Sequence, residues 1–216
     1  MVEFLGNVSA ESSVADYLRR QILTGELSTG DKLRQSDIAA ELGVSTTPVR
    51  EAFRSLTAEG LVEIDTHRGA MIRKLRDSEL IEVLELQLVV EKEALRHSVP
   101  QMETQSLEVA ESLHRKMLLT NDPTDWSLLN RDFHLALSAP SERTRTLRIL
   151  RELFNVGTVQ LREDIQNWDG RKAAGEADHG RILAAARAGN LDELSLLIDN
   201  HVGAAIEHLR ELARVH

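Results

Sequence analysis

Gly43-Val44-Ser45-Thr46-Thr47-Pro48-Val49-Arg50-Glu51 is the stretch that decides the fold. Just before it, Asp37 to Leu42 puts Ile38, Ala39 and Leu42 on one face of a short helix. Gly43 supplies the positive φ that a tight turn between two crossed helices demands. Ser45 or Thr46 can cap the next helix, and Pro48 fits its first turn, where a missing N–H costs nothing. Val49, Ala52, Phe53 and Leu56 then recur at helical spacing and face inward. That leaves Ser45, Thr46, Thr47, Arg50 and Arg54 outward, where a recognition helix meets bases and phosphates. Leu61–Ile64 and Met71–Leu75 flank Asp65-Thr66-His67-Arg68-Gly69, a hairpin turn with a cation at its tip. The layout predicts a winged helix-turn-helix over residues 1–76. Its expected contacts to double-stranded operator DNA are Arg34, Ser45, Thr46, Thr47, Arg50, Arg54, His67, Arg68 and Gly69. An ion pair of Arg50 with Glu51 or Glu59, and a solvated loop cation at Arg68, are the alternatives for those two side chains.

Ser45-Thr46-Thr47-Pro48-Val49-Arg50-Glu51-Ala52, followed by Leu56, Glu59-Gly60-Leu61-Val62 and Arg68-Gly69, resembles the GntR family of bacterial transcription regulators. Many members carry Arg where Thr46 stands. The resemblance therefore implies the family's docking mode and leaves the base preference at that position open.

A length of 216 residues suits one large or two modest domains. With no cysteine, disulfides, thiolate zinc sites and cysteine nucleophiles are all excluded, and a reducing cytoplasm fits. No apolar run approaches a membrane span and the N-terminus lacks a signal-peptide pattern, so the expected location is cytoplasmic, with no membrane partner. The net charge of −9 is unevenly divided. Residues 1–76 carry ten basic and eleven acidic side chains, a net of −1, which leaves −8 for residues 77–216. Local field rather than net charge steers DNA, so clustered arginines suffice in the first part. The acidic second part needs another role.

Residues 77–216 read as an antiparallel all-α bundle of about six helices, making the chain mainly α. The helices run near 77–97, 103–119, 125–137, 142–166, 174–188 and 191–214, separated by Val99-Pro100, Asn121-Asp122-Pro123, Ala139-Pro140, Asn167–Gly170 and Gly189-Asn190. Leu80, Val83, Leu84, Leu88, Val90 and Leu95 form the first apolar stripe, and Trp126, Leu129, Phe133 and Leu137 the third.

Histidines carry the chemistry here. Asn130 and His134 lie four apart on one helix face. His179 precedes Ile182 and Leu183, and His201 sits among Leu197, Ile198, Ala204 and Ala205 on an inward stripe. An unpaired imidazole there is costly. Three inward histidines and an amide on three helices can converge on one divalent cation of the zinc, nickel, copper or cobalt type.

Asn130-Arg131-Asp132-Phe133-His134, Asp178-His179-x-x-Ile182 and His201 resemble the all-helical FCD effector domain of the FadR branch of GntR regulators, in its six-helix, VanR-like form. The resemblance implies that Asn130, His134, His179 and His201 hold one divalent transition metal per chain (Zn, Ni or Mn), weakly because Asn is neutral. It further implies a small-molecule effector, a carboxylate filling open metal positions, with Arg131 assisting and Gln87 where members often carry Arg. It also implies a homodimer that acts as a ligand-responsive repressor rather than an enzyme. Two other readings stay open. Glu111-x-x-His114 and Glu176-x-x-His179, with Glu91 on the Leu84–Leu88 face, suggest a metal-dependent bundle enzyme, although His114 reads as a surface residue. A DNA-binding protein with a purely structural bundle is the other.

Overall fold

The computed structural model describes residues 9–65, 69–167 and 170–215. The chain divides into two compact units at Lys74/Leu75.

In the first unit, α1 (Ala10–Thr24) precedes the helix-turn-helix and is absent from the sequence reading above. The Ser9 side chain caps it by accepting from Ser12 N at 3.1 Å. Its stripe Val14, Leu18 and Ile22 is buried, and it packs on α3 (Thr46–Ala58), whose Val49, Ala52, Phe53 and Leu56 are buried in turn. The Arg19 guanidinium braces that contact by donating to both Glu59 oxygens, at 2.7 and 2.6 Å. This pair holds the Arg19 pKa above its ordinary value, with the Glu59 hydrogen bond the largest cause. Between the helices, α2 (Gln35–Leu42) ends on Gly43 at φ 67°, and Val44 N closes the turn on Ala39 O at 3.0 Å. Ser45 is the N-cap of α3 by backbone conformation but makes no side-chain cap bond.

The wing has three strands rather than two. β2 (Val62–Asp65) and β3 (Gly69–Ile72) pair antiparallel with Val62 opposite Ile72, and β1 (Lys32–Leu33) adds to β3 with Leu33 opposite Ala70. Two residues are too few for an alternating pattern to announce a strand.

The second unit comprises α4 (Asp77–Ser98), α5 (Thr104–Leu119), α6 (Pro123–Ser138), α7 (Thr144–Asn167), α8 (Arg171–Arg187) and α9 (Leu191–Val215). Helix α6 starts two residues earlier than the apolar pattern suggests. Asp122 accepts from Thr124 N and Asp125 N at 2.8 and 2.9 Å, and Pro123 occupies the first turn. Such a cap contributes about 1 kcal/mol. Leu80, Leu84, Leu95, Phe133, Leu137, Ile182, Leu194 and Ile198 belong to one apolar core. The buried stripe of α4 also carries the polar residues Gln87 and Glu91 in its middle, both facing histidines, and Ser98 at its end. The first two mark where the core becomes a site. Among the described residues, no helix is long and apolar enough to cross a membrane.

Candidate functional site

Three imidazoles meet in the middle of the second unit. His134 on α6, His179 on α8 and His201 on α9 are exposed by 1, 0 and 4%. Their ring centroids are 4.8 to 5.3 Å apart, and one ligand atom from each lies within 4.8 Å of the others. Convergence follows from the helix periods. His134 falls on the face that buries Phe133 and Leu137, His179 one turn before Ile182 and Leu183, and His201 one turn after Leu197 and Ile198.

Each ring is held. The His134 ring stacks on Phe154 with centroids 5.5 Å apart and planes at 27°, while its Nδ1 lies 2.7 Å from Glu91 Oε1. The Nδ1 of His201 lies 3.3 Å from Asp178 Oδ2. That hydrogen bond is the main reason the Asp178 carboxyl titrates below its ordinary value. Burial opposes the shift, and the Arg181 guanidinium reinforces it.

Next to the rings is a cavity of about 50 Å³, lined among others by Gln87, Asn130, His134, Gly157, Thr158 and His201. Asn130, one turn before His134 on α6, keeps its Oδ1 buried there with no hydrogen-bond partner. A buried acceptor left unmatched costs about 1–3 kcal/mol, and a cation in the cavity removes that cost. The donors, three imidazoles and one amide oxygen, fit a divalent transition metal. The volume decides what else can enter. Drug-sized ligands need about 300–1,000 Å³, so this cavity as it stands takes an ion and a ligand of a few heavy atoms.

Other expected residues lie elsewhere. Arg131 does not line the cavity; its guanidinium donates to Asp132 Oδ1 at 2.9 Å and to Asn155 Oδ1 at 3.2 Å. One residue along a helix turns the side chain by about 100°, which separates Arg131 from Asn130. His114, read as a surface residue, is half-buried: its Nε2 donates to the Glu176 carbonyl at 3.1 Å, and its ring lies 6.1 Å from His179. The apolar surface of Phe133 and the Glu176 carbonyl draw it in. Glu111, one of the enzyme-type carboxylates, pairs with Arg187 at 2.8 Å on the surface. Glu91 and Asp178 are the contributors that sequence reasoning left without this role. The signal for Glu91 was its place on an apolar stripe.

On α3 and its N-cap, Ser45, Thr46, Thr47, Arg50 and Arg54 are all exposed, as are Arg34 before α2 and Gly69 at the start of β3. Arg54 Nη1 reaches both oxygens of Glu51 at 3.0 Å, and Arg50 Nε stands 3.4 Å from the same carboxylate. The Arg54 hydrogen bond chiefly holds the Glu51 carboxyl below its usual range. His67 and Arg68 lie outside the described residues.

The family described as bacterial regulatory proteins, gntR family, matches residues 10–72, and the FCD domain matches residues 82–204. The chain belongs to the GntR family and carries an FCD domain. Relatives of this GntR–FCD regulator include a Paenarthrobacter nicotinovorans protein named "Probable D-xylose utilization operon transcriptional repressor". The two are 29% identical over 93% of this chain and 88% of the relative. The Uxu operon regulator of Haemophilus influenzae is also 29% identical, over 94% of this chain and 82% of its own. Among solved structures, a GntR family transcriptional regulator from Pseudomonas syringae is 28% identical, with a TM-score of 0.58 over 95% of this chain and 86% of that one. A Rhodococcus sp. RHA1 structure assigned to GntR shares the fold at a TM-score of 0.83 and 24% identity, over 94% of this chain and 99% of that one. This GntR–FCD protein is a DNA-binding transcriptional regulator and not an enzyme.

Proposed function

We propose that this regulator is a cytoplasmic, homodimeric repressor whose helical unit, residues 77–216, binds one divalent transition metal and a small carboxylate. Residues 1–76 hold the operator. The observation that carries the reading is the convergence of His134, His179 and His201, with the unpartnered Asn130 oxygen lining the same cavity. In the DNA-binding unit, Arg50 and Arg54 at the start of α3 contact bases and phosphates, while Ser45, Thr46 and Thr47 donate to phosphate oxygens. Arg34 and the wing residues His67, Arg68 and Gly69 flank them.

In the helical unit, His134, His179, His201 and Asn130 are the ligands that would hold the metal. A bound Zn, Ni or Mn ion supplies a Lewis-acidic point that a carboxylate can share. Gln87 and Thr158 on the cavity wall orient the ligand by hydrogen bonds. Arg131, being tied to Asp132 and Asn155, acts through the wall rather than on the ligand. Leu86 and Val89 stand exposed on α4 at 50 and 66%, one turn apart, which supports a subunit contact there. The repressor sense follows the relative named for D-xylose utilization. Ligand binding that favours one arrangement of the dimer by about 1–3 kcal/mol changes operator affinity roughly 5- to 150-fold.

The test is metal content per chain on protein purified without chelator or metal-affinity resin, alongside His134→Ala. About one equivalent of transition metal, lost in the variant, is the expected result. No uptake by wild type even after added zinc overturns the metal reading and leaves the DNA-binding assignment untouched.

A further inference from the structure

Glu91 is fully buried, at 0% exposure, on a stripe of α4 that also buries Leu80, Leu84, Ala94 and Leu95, and it is the only charged residue buried on that stripe. Burying a carboxylate is expensive unless it is paired. Its only hydrogen-bonded oxygen, Oε1, lies 2.7 Å from Nδ1 of His134, and Oε2 is buried with no hydrogen-bond partner. The whole polar interaction of this side chain is therefore directed at the back of one imidazole. From this geometry we infer that Glu91 is the positioning residue of the three-histidine centre: it fixes His134 as the Nδ1–H tautomer and so presents Nε2 to a cation.

A carboxylate only accepts, so the nitrogen it faces carries the proton. A neutral imidazole has one donor and one acceptor nitrogen, which leaves the lone pair on Nε2. Stacking on Phe154 sets the plane of the ring and the Glu91 bond sets which edge faces α4, so tautomer and orientation are set together. Glu91 is not itself among the converging ligand groups, which are His134, His179 and His201. It stands behind the ligand, where a carboxylate raises the basicity of the far nitrogen. Asp178 stands in the same relation to His201, at a looser 3.3 Å and partly exposed, so α4 and α8 each aim a carboxylate at the Nδ1 of a histidine. The consequence for the metal rests on the reading under Proposed function; the tautomer does not.

The experiment uses full-length protein freed of metal by chelator, as wild type, Glu91→Gln, Glu91→Met and His134→Ala. Zinc affinity is measured by competition with a chromophoric chelator, and ring nitrogens by two-bond proton–nitrogen NMR on histidine-labelled protein, with His134 assigned by its loss in His134→Ala. Wild type is expected to show His134 protonated at Nδ1. In Glu91→Met the same ring should average between tautomers. Zinc affinity should fall about 10- to 100-fold in Glu91→Gln, with the stoichiometry retained, and at least as far in Glu91→Met. A wild-type ring protonated at Nε2, or variants that bind zinc as wild type does, overturns the proposal. If wild type takes up no zinc, the metal reading fails and the tautomer decides the role of Glu91 alone. Should Glu91→Met not fold, the nearly isosteric Glu91→Gln carries the test: zinc affinity unchanged from wild type overturns the proposal, and a loss of 10-fold or more upholds it.

Discussion

Replacing Gly157 with alanine separates the stability of the helical unit from its response to ligand. Gly157 is buried in the interior of α7 and lines the cavity beside Gln87. A Cβ built there stands 3.4 Å from Gln87 Oε1 and 3.9 Å from Leu84 Cδ2, both ordinary contacts. No neighbour has to move, so the overpacking cost of about 1–3 kcal/mol does not arise. Glycine inside a helix is about 0.8–1.0 kcal/mol less favourable than alanine. The expected change is a stabilisation of about 0.5–1 kcal/mol. For a chain of this size it raises Tm by roughly 1–4 °C. The same methyl group takes space in a cavity of only about 50 Å³, so the ligand should lose its place while the histidines keep theirs. Calorimetry on metal-free protein, on the zinc form, and on the zinc form with acetate, glycolate or lactate reads all three effects. Gly157→Ala should melt higher without ligand, keep the zinc shift, and lose the shift from whichever carboxylate raises the wild-type Tm. A variant that melts below wild type refutes the packing argument. An undiminished carboxylate shift refutes the assignment of the cavity.

Arg50→Ala should lower the melting temperature by no more than about 4 °C, because exposed pairs such as that with Glu51 contribute only about 0–1 kcal/mol. Operator affinity, followed by fluorescence anisotropy across a salt series, should fall. A base contact costs about 1–3 kcal/mol and depends on sequence, whereas a phosphate contact lowers the salt slope by about one; unchanged affinity excludes Arg50 from the interface. The Glu93 carboxyl, held down to about 2 chiefly by the Arg96 hydrogen bond and then by His97, gives a pH prediction. Because the folded value is depressed, its contribution is present above the ordinary 4.5 and disappears as pH falls through about 2. Carboxyl-carbon NMR shows this directly, and a midpoint near 4.5 would dismiss the pairing.

Helix-turn-helix and bundle were legible for a local reason. Gly43, Pro48 and the stripe Val49, Ala52, Phe53, Leu56 act through contacts a few residues apart, and the breaks at Pro100, Pro123 and Gly189 are local too. Helix α1 has a readable stripe in Val14, Leu18 and Ile22, but nothing in it says that it packs on α3. Strand β1 has two residues and exists only because β3 offers it an edge. At the candidate site, helical spacing turned Asn130 and His134 to one face and His201 inward. Spacing could not exclude Arg131, whose partner Asn155 is 24 residues away, nor draw in His114, whose partner Glu176 is 62 residues away.

Residue type and period alone determined which elements form, which side chains turn inward and which donors are on hand, because those properties belong to one helix at a time. Which of the donors meet was decided by the packing of α4, α6, α8 and α9. Glu91 shows the division most clearly. Its place on the apolar stripe is written in the sequence, but its 2.7 Å bond to a histidine 43 residues later exists only once both helices are buried together. A lone buried carboxylate is unfavourable, and only the tertiary structure supplies the imidazole that makes it tolerable.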